Sequence, residues 1–234
     1  MAGSYLNWLW WILDPLLFML VYTFVVRIVF TAKEQYFSAF VLVGLTVWNF
    51  FNKSVQGSVN IIRKNKSVVS KIYLPKYLLI LTNMMVLAFK MAVSFALIFI
   101  LMLILQVPFT LHILHAVPIL LVLVTVTFGV STIFMHFGVF VRDLSNVTAV
   151  LLRLVFYMTG VFYSIPLRVP EPYGGLLLNL NPLAFLTESL RGALLYGSAP
   201  DYLLLGVWFL IGLALTAVGI TTVYRYENSY AKVI

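Results

Sequence analysis

Between Leu78 and Leu105 the sequence carries a single charged residue, Lys90. A helix needs about 20 mostly apolar residues to cross roughly 30 Å of hydrocarbon, so a run of this kind reads first as a membrane span. Composition agrees: of 234 residues, 63% are hydrophobic and 9% charged, where soluble domains hold roughly 45–50% and about 25%. Water is not the main solvent of such a chain. Its length accommodates about five to seven spans with short connections, and no soluble catalytic domain besides.

Apolar runs predict spans at 8–30, 37–59, 78–105, 117–141, 147–165 and 202–224. The expectation is an all-α integral membrane protein, one domain over 1–234, with six transmembrane helices. A seventh apolar stretch, Leu176 to Leu195, is interrupted by Asn179, Asn181-Pro182, Glu188 and Arg191. Such polar groups are not tolerated facing lipid, so the segment 166–200 is predicted as a broken, re-entrant external excursion built from two short half-helices. Pro166, Pro170, Pro172 and Gly174-Gly175 punctuate its start. The opening Met1-Ala2-Gly3-Ser4 has no Lys or Arg, and the apolar run that follows exceeds a signal-peptide core, so no cleaved presequence is expected.

The formal charge of +8 is concentrated rather than spread. Arg63, Lys64, Lys66, Lys71 and Lys76 crowd the loop 61–76 without one acid, and six alternating spans place Arg142 and Arg225 on the same side. By the positive-inside rule that side is cytoplasmic, with both termini, and a nucleic-acid partner is not needed to explain the charge. The absence of cysteine excludes disulfides and thiol chemistry.

Motifs for chemistry on a substrate do not occur. No phosphate-binding G-x-x-x-x-G-K-[ST], no G-x-S-x-G and no H-E-x-x-H stands in the sequence, so an ATPase powering transport must be another chain. His112 and His115 are spaced to share a metal, but two ligands do not complete a zinc site and a polar loop at the membrane edge explains them more simply. Asp14 precedes Pro15 and fits a helix irregularity as well as a transport path. Lys90 either snorkels to the interface or meets a phosphate in a channel, and Arg153 poses the same choice nearer the cytoplasmic face. Aromatics crowd spans one and five: Trp8, Trp10, Trp11, Phe18, Tyr22 and Phe24, then Phe156, Tyr157, Phe162 and Tyr163. Phe18, Tyr22, Phe156 and Tyr157 are too deep for a headgroup belt, so they either pack in the protein or line a path, where their planes would suit sugar rings.

Four blocks, in this order, carry a resemblance: Trp10-Trp11-Ile12-Leu13-Asp14-Pro15-Leu16-Leu17; Asn60-Ile61-Ile62-Arg63 through Ser70-Lys71-Ile72-Tyr73-Leu74-Pro75; Val141-Arg142-Asp143-Leu144; and Asn181-Pro182-Leu183 with Arg191-Gly192. Over nearly the whole chain the sequence resembles the ABC-2 type polysaccharide-export permeases, which move O-antigen or wall teichoic acid precursors linked to a polyprenyl diphosphate. The resemblance implies a homodimer with a channel between its subunits in the bacterial cytoplasmic membrane. Two copies of a separate nucleotide-binding chain would bind the ATP and Mg, and this chain itself would bind no cofactor or metal.

It further implies that Trp11, Phe18, Tyr22, Phe156, Tyr157, Phe162, Tyr163 and Lys90 line the channel. The basic loop would be the coupling element, with Ile62, Arg63, Lys64, Val68, Val69, Lys71 and Ile72 meeting the ATPase; lying on anionic headgroups is the other fate open to such an amphipathic stretch. The segment 166–200 would hold the external gate helices. Family members begin with an amphipathic surface helix, whereas seven residues precede Trp8 here, so that helix is expected to be short, missing or trimmed. An ABC-2 permease for a drug or lipid shares the expected fold. A membrane-embedded transferase is opposed by the sparse acids, and a secondary transporter by the lack of a paired acid site and of an inverted repeat.

Overall fold

A computed structural model describes residues 9–25, 35–69 and 74–233, without the side chains of 11, 12, 14, 15, 22, 68, 228 and 231–233. Among the described residues there is helix and no strand. The long helices are α1 (Trp10–Thr23), α2 (Phe37–Val59), α5 (Tyr77–Ile104), α6 (Ala116–Phe140), α7 (Leu144–Met158) and α11 (Tyr202–Val233). Short ones lie between: α3 (Ile61–Lys64), α4 (Lys66–Val69), α8 (Ile165–Arg168), α9 (Tyr173–Leu180) and α10 (Pro182–Arg191).

Three stretches are long and apolar enough to cross a membrane: Tyr77–Ile104, Leu111–Phe140 and Tyr202–Glu227. The six expected spans are therefore matched unequally. Helix α2 has 23 residues, about 35 Å at 1.5 Å per residue, but it carries Asn49, Asn52, Lys53, Ser54, Gln56 and Ser58. Its run from Ala39 to Trp48 is buried throughout, and of the polar positions beyond it Ser54 and Ser58 are wholly buried, so protein rather than lipid surrounds much of the helix. The described part of α1 has 14 residues, and both ends of the predicted span 8–30 lie outside the described residues. Helix α7 has 15 residues and stops at Met158, seven short of the predicted Ile165. The cause is Gly160, whose φ of 67° turns the chain in a region open chiefly to glycine.

The chain divides into two compact units. The first comprises the described residues of Met1–Asn49, Phe89–Ile119 and Phe156–Asp201. Its core joins Phe37, Phe40 and Leu42 of α2 to Ile98 and Met102 of α5 and to Leu186, Leu190 and Leu194, all nearly or wholly inaccessible. The break expected at Asn181-Pro182 is present, and its chemistry is local. Asn181 caps α10, its side chain accepting from the amides of Leu183 at 3.0 Å and Ala184 at 3.4 Å, while Pro182 fills the first turn, where an amide would lack a partner. The same asparagine donates to the Met158 carbonyl and the Thr159 hydroxyl, each at 3.3 Å, pinning α10 to the end of α7.

The second unit comprises Phe50–Ala88, Leu120–Val155 and the described residues of Tyr202–Ile234. Helices α6 and α11 approach through small residues. A Cβ on Gly129 would stand 2.7 Å from that of Leu215, one on Gly212 would stand 3.1 Å from the Val126 nitrogen, and one on Gly219 would overlap the Thr132 hydroxyl. Lipid supplies no hydrophobic drive between helices, so close backbone packing of this kind does the holding. Beyond the apolar run α11 continues to Val233, and its Glu227 pairs with the buried Lys76 at 2.8 Å.

Candidate functional site

In the first unit the aromatics of the fifth predicted span form a connected group. Phe156 stands edge-on to Phe162 at 5.4 Å and to Tyr157 at 5.5 Å, and tilts against Trp48 of α2 at 5.1 Å. Where α7 ends, its last carbonyls lose their helical partners. The Tyr163 hydroxyl takes one of them, donating to the Tyr157 carbonyl at 2.7 Å and folding the 159–164 turn back on the helix end. The Tyr157 ring itself is 65% exposed, whereas Phe156 and Phe162 are half-buried. One exposed ring on a rigid aromatic base can stack on a ligand.

The remaining predicted channel residues are placed less closely. Phe18 is 52% exposed on α1 and Lys90 half-buried on α5, both within this unit. The side chains of Trp11 and Tyr22 lie outside the described residues. Trp48 escaped sequence reasoning, because one tryptophan in an apolar span gives no sign of its distant partner.

Arg191 entered the sequence reading as a polar interruption and as part of the Arg191-Gly192 block, neither of which shows that it is the hub of the unit, 1% exposed. Its Nε donates to the Phe40 carbonyl at 3.2 Å, Nη1 to Gly160 at 3.0 Å and Nη2 to Val161 at 2.7 Å. Nη1 also lies 3.3 Å from a carboxylate oxygen of Glu188, and the guanidinium stacks 3.4 Å from the centroid of the Phe40 ring. The Gly160–Val161 turn has no helical partners for these carbonyls, so the planar fork replaces them. Gly44 makes the room: a Cβ there would stand 2.7 Å from Nη2. A guanidinium so fully engaged ties the α7–α8 turn to α2 and α10, and is not a ligand for substrate.

The basic loop lies in the second unit, and its first turns are helical. Two one-turn helices, α3 and α4, are separated by Asn65, whose Nδ2 donates back to the Ile61 carbonyl at 2.8 Å. Ile62 was expected to meet the ATPase, but it is 1% exposed and, with Ile61 at 7%, anchors the loop in its own unit. Arg63 turns inward likewise, donating to the Val139 carbonyl at 2.8 Å. Lys64, Lys66 and Ser67 are exposed and Val69 is half-buried, while the Val68 side chain, Lys71 and Ile72 lie outside the described residues. The corner is braced by Gln56, which donates to the carbonyl and hydroxyl of Ser145 at 3.1 and 3.2 Å.

No family model matches the chain. Curated relatives do. It is 26% identical over 233 residues, 99% of this chain and 89% of each relative, to two O-antigen export system permease proteins RfbA of Klebsiella pneumoniae. To the O-antigen export system permease protein RfbA of Myxococcus xanthus it is 30% identical over 207 residues, 85% of this chain and 76% of that one. The chain belongs to this permease family. As a permease it is a multi-pass membrane protein and a transport subunit rather than an enzyme. The rings of His112 and His115 lie 5.3 Å apart, and among the described residues no group of three metal-ligating side chains forms.

Proposed function

We propose that this permease is the transmembrane subunit of an ATP-driven exporter for a lipid-linked polysaccharide of O-antigen type, spanning the bacterial inner membrane six times with both termini cytoplasmic. Two subunits enclose the channel, and two copies of a separate nucleotide-binding chain hydrolyse ATP with Mg, since no phosphate-binding loop stands in this sequence. The observation carrying the reading is the match over nearly the whole chain to permeases named for O-antigen export. Those names favour O-antigen over teichoic acid as the glycan.

The aromatic group supplies a mechanism for passage. A sugar ring lays its C–H face on an aromatic plane and slides without a directional bond to break, so stacked rings guide a chain without trapping it. Tyr157, with Phe156 behind it, is the exposed plane. Removing both rings, at about 1 kcal/mol each, should slow export about thirtyfold. The check is surface polysaccharide from Tyr157→Ala/Phe156→Ala cells whose exporter assembles and hydrolyses ATP normally. Export at the wild-type rate would leave the rings as packing residues.

The exposed part of the basic loop, Lys64 to Val69, is the proposed seat of the ATPase. A motor outside the membrane acts only on what protrudes, and these residues stand beside buried Ile61 and Ile62, so force on them passes directly into α2 and α6. Because the chain has no cysteine, Ser67→Cys gives a single label. In intact cells an impermeant thiol reagent should leave it unmodified; in inverted vesicles it should react only once the ATPase is stripped. Labelling from outside overturns the orientation, and labelling unaffected by the ATPase overturns the docking.

A further inference from the structure

Between α6 and α11 in the second unit lies an open cleft of about 480 Å³, lined by none of the residues assigned to the proposed transport path. Its two ends differ in kind. At one, Ile133 is half-buried and Val218 57% exposed. At the other stand Thr222, Arg225 and His136. Val218, Thr222 and Arg225 recur at helical spacing and so share one face of α11, the charge about 10 Å along the axis from the valine.

The polar end has donors to spare. Arg225 is exposed, its guanidinium 6.0 Å from the Tyr226 ring centroid, and no carboxylate pairs with it among the described residues. Its sequence neighbour Glu227 is held by Lys76 at 2.8 Å, which leaves the cleft positively charged. Thr222 makes no hydrogen bond among the described residues, unlike Thr221, which gives its proton to the Ala217 carbonyl at 2.7 Å. His136 Nδ1 lies 2.7 Å from the Tyr230 hydroxyl. When that hydroxyl donates, the neutral ring carries its proton on Nε2.

We propose that this cleft seats the phosphodiester headgroup of an anionic membrane lipid, with Arg225, Thr222 and His136 on the phosphate and an acyl chain along Ile133 and Val218. Both walls belong to stretches apolar enough to span the bilayer, Leu111–Phe140 and Tyr202–Glu227. The charge at their polar end therefore falls where headgroups lie, and the apolar end where chains lie. Free phosphate meets the same donors but has no use for the apolar half, which decides for a lipid. The lipid would act as a wedge that holds α6 and α11 at the level of the basic loop.

The test is native mass spectrometry of the whole exporter from nanodiscs of phosphatidylglycerol in phosphatidylcholine. The wild type should retain phosphatidylglycerol selectively. Arg225→Gln should lower that selectivity about fivefold, the worth of one basic side chain at the headgroup plane. Val218→Trp, which fills the apolar half and leaves the charge, should lower it too. Arg142→Gln removes another exposed arginine that does not line the cleft, and should change nothing. Retention by Arg225→Gln equal to wild type overturns the site. Equal loss from Arg142→Gln reduces it to general surface charge, and displacement of the lipid by excess inorganic phosphate makes it a free-anion site; either result defeats the lipid assignment.

Discussion

Replacing Arg191 by alanine is expected to destabilise the permease by about 3–5 kcal/mol, the usual consequence of removing one member of a buried ionic hydrogen-bonded group. The side chain is 1% exposed and serves three backbone carbonyls, those of Phe40, Gly160 and Val161, together with Glu188. Each carbonyl left dry and unpaired costs about 1–3 kcal/mol before the volume of the lost side chain is counted. Lysine keeps the charge, but a compact ammonium cannot reach groups that a planar fork spans. Arg191→Lys should therefore recover less than half of the loss.

Thermal unfolding in detergent reads both variants. A second substitution separates the causes. Removing the orphaned carboxylate in Arg191→Ala/Glu188→Gln should return about 1 kcal/mol, because Glu188 keeps a partner in Ser164, whose hydroxyl donates to it at 3.3 Å. A single Arg191→Ala variant that melts with the wild type would remove the hub from the account.

How much of this was legible in the sequence depends on how far apart the partners lie. The third and fourth apolar runs coincide with α-helices to within one residue, since an apolar run shows its own ends: 78–105 with Tyr77–Ile104, and 117–141 with Ala116–Phe140. The break at Asn181-Pro182 was readable because a capping side chain and a proline act within one turn. Arg191 was not: its hydrogen bonds reach 151, 31 and 30 residues away, and only the fold puts Phe40, Gly160 and Val161 around it. Trp48 against Phe156 is the same case. The end of α7 was misjudged because Thr159 to Ile165 stays apolar enough to pass for helix, and hydropathy does not register the one glycine that turns it. In the basic loop the pattern marks an amphipathic stretch, but pattern alone does not say whether an apolar residue such as Ile62 meets a partner or the chain's own core.

Gly138 is the second position where a small change should have a large effect. A Cβ there would overlap the Val59 carbonyl oxygen and stand 2.8 Å from the carbonyl carbon and 3.0 Å from Cα. The obstacle is backbone, so no rotamer change relieves it and α6 must withdraw from the end of α2. Overpacking usually costs about 1–3 kcal/mol, and the rigid neighbour puts Gly138→Ala at the upper end. The expected fall in melting temperature is roughly 5–10 °C. The site also bears on coupling: Val139, the next residue, accepts from Arg63 at 2.8 Å, and α3 begins two residues beyond Val59. Withdrawal of α6 should break that bond and loosen the loop where the ATPase is proposed to press. Arg63→Met alone should cost about 1.5–3 kcal/mol as a lost charged hydrogen bond, but much less in the Gly138→Ala background, where the bond is already gone. Full additivity of the two substitutions would show that the α2–α6 crossing does not set the position of the loop, and force on Lys64 to Val69 would then need another route into the helices.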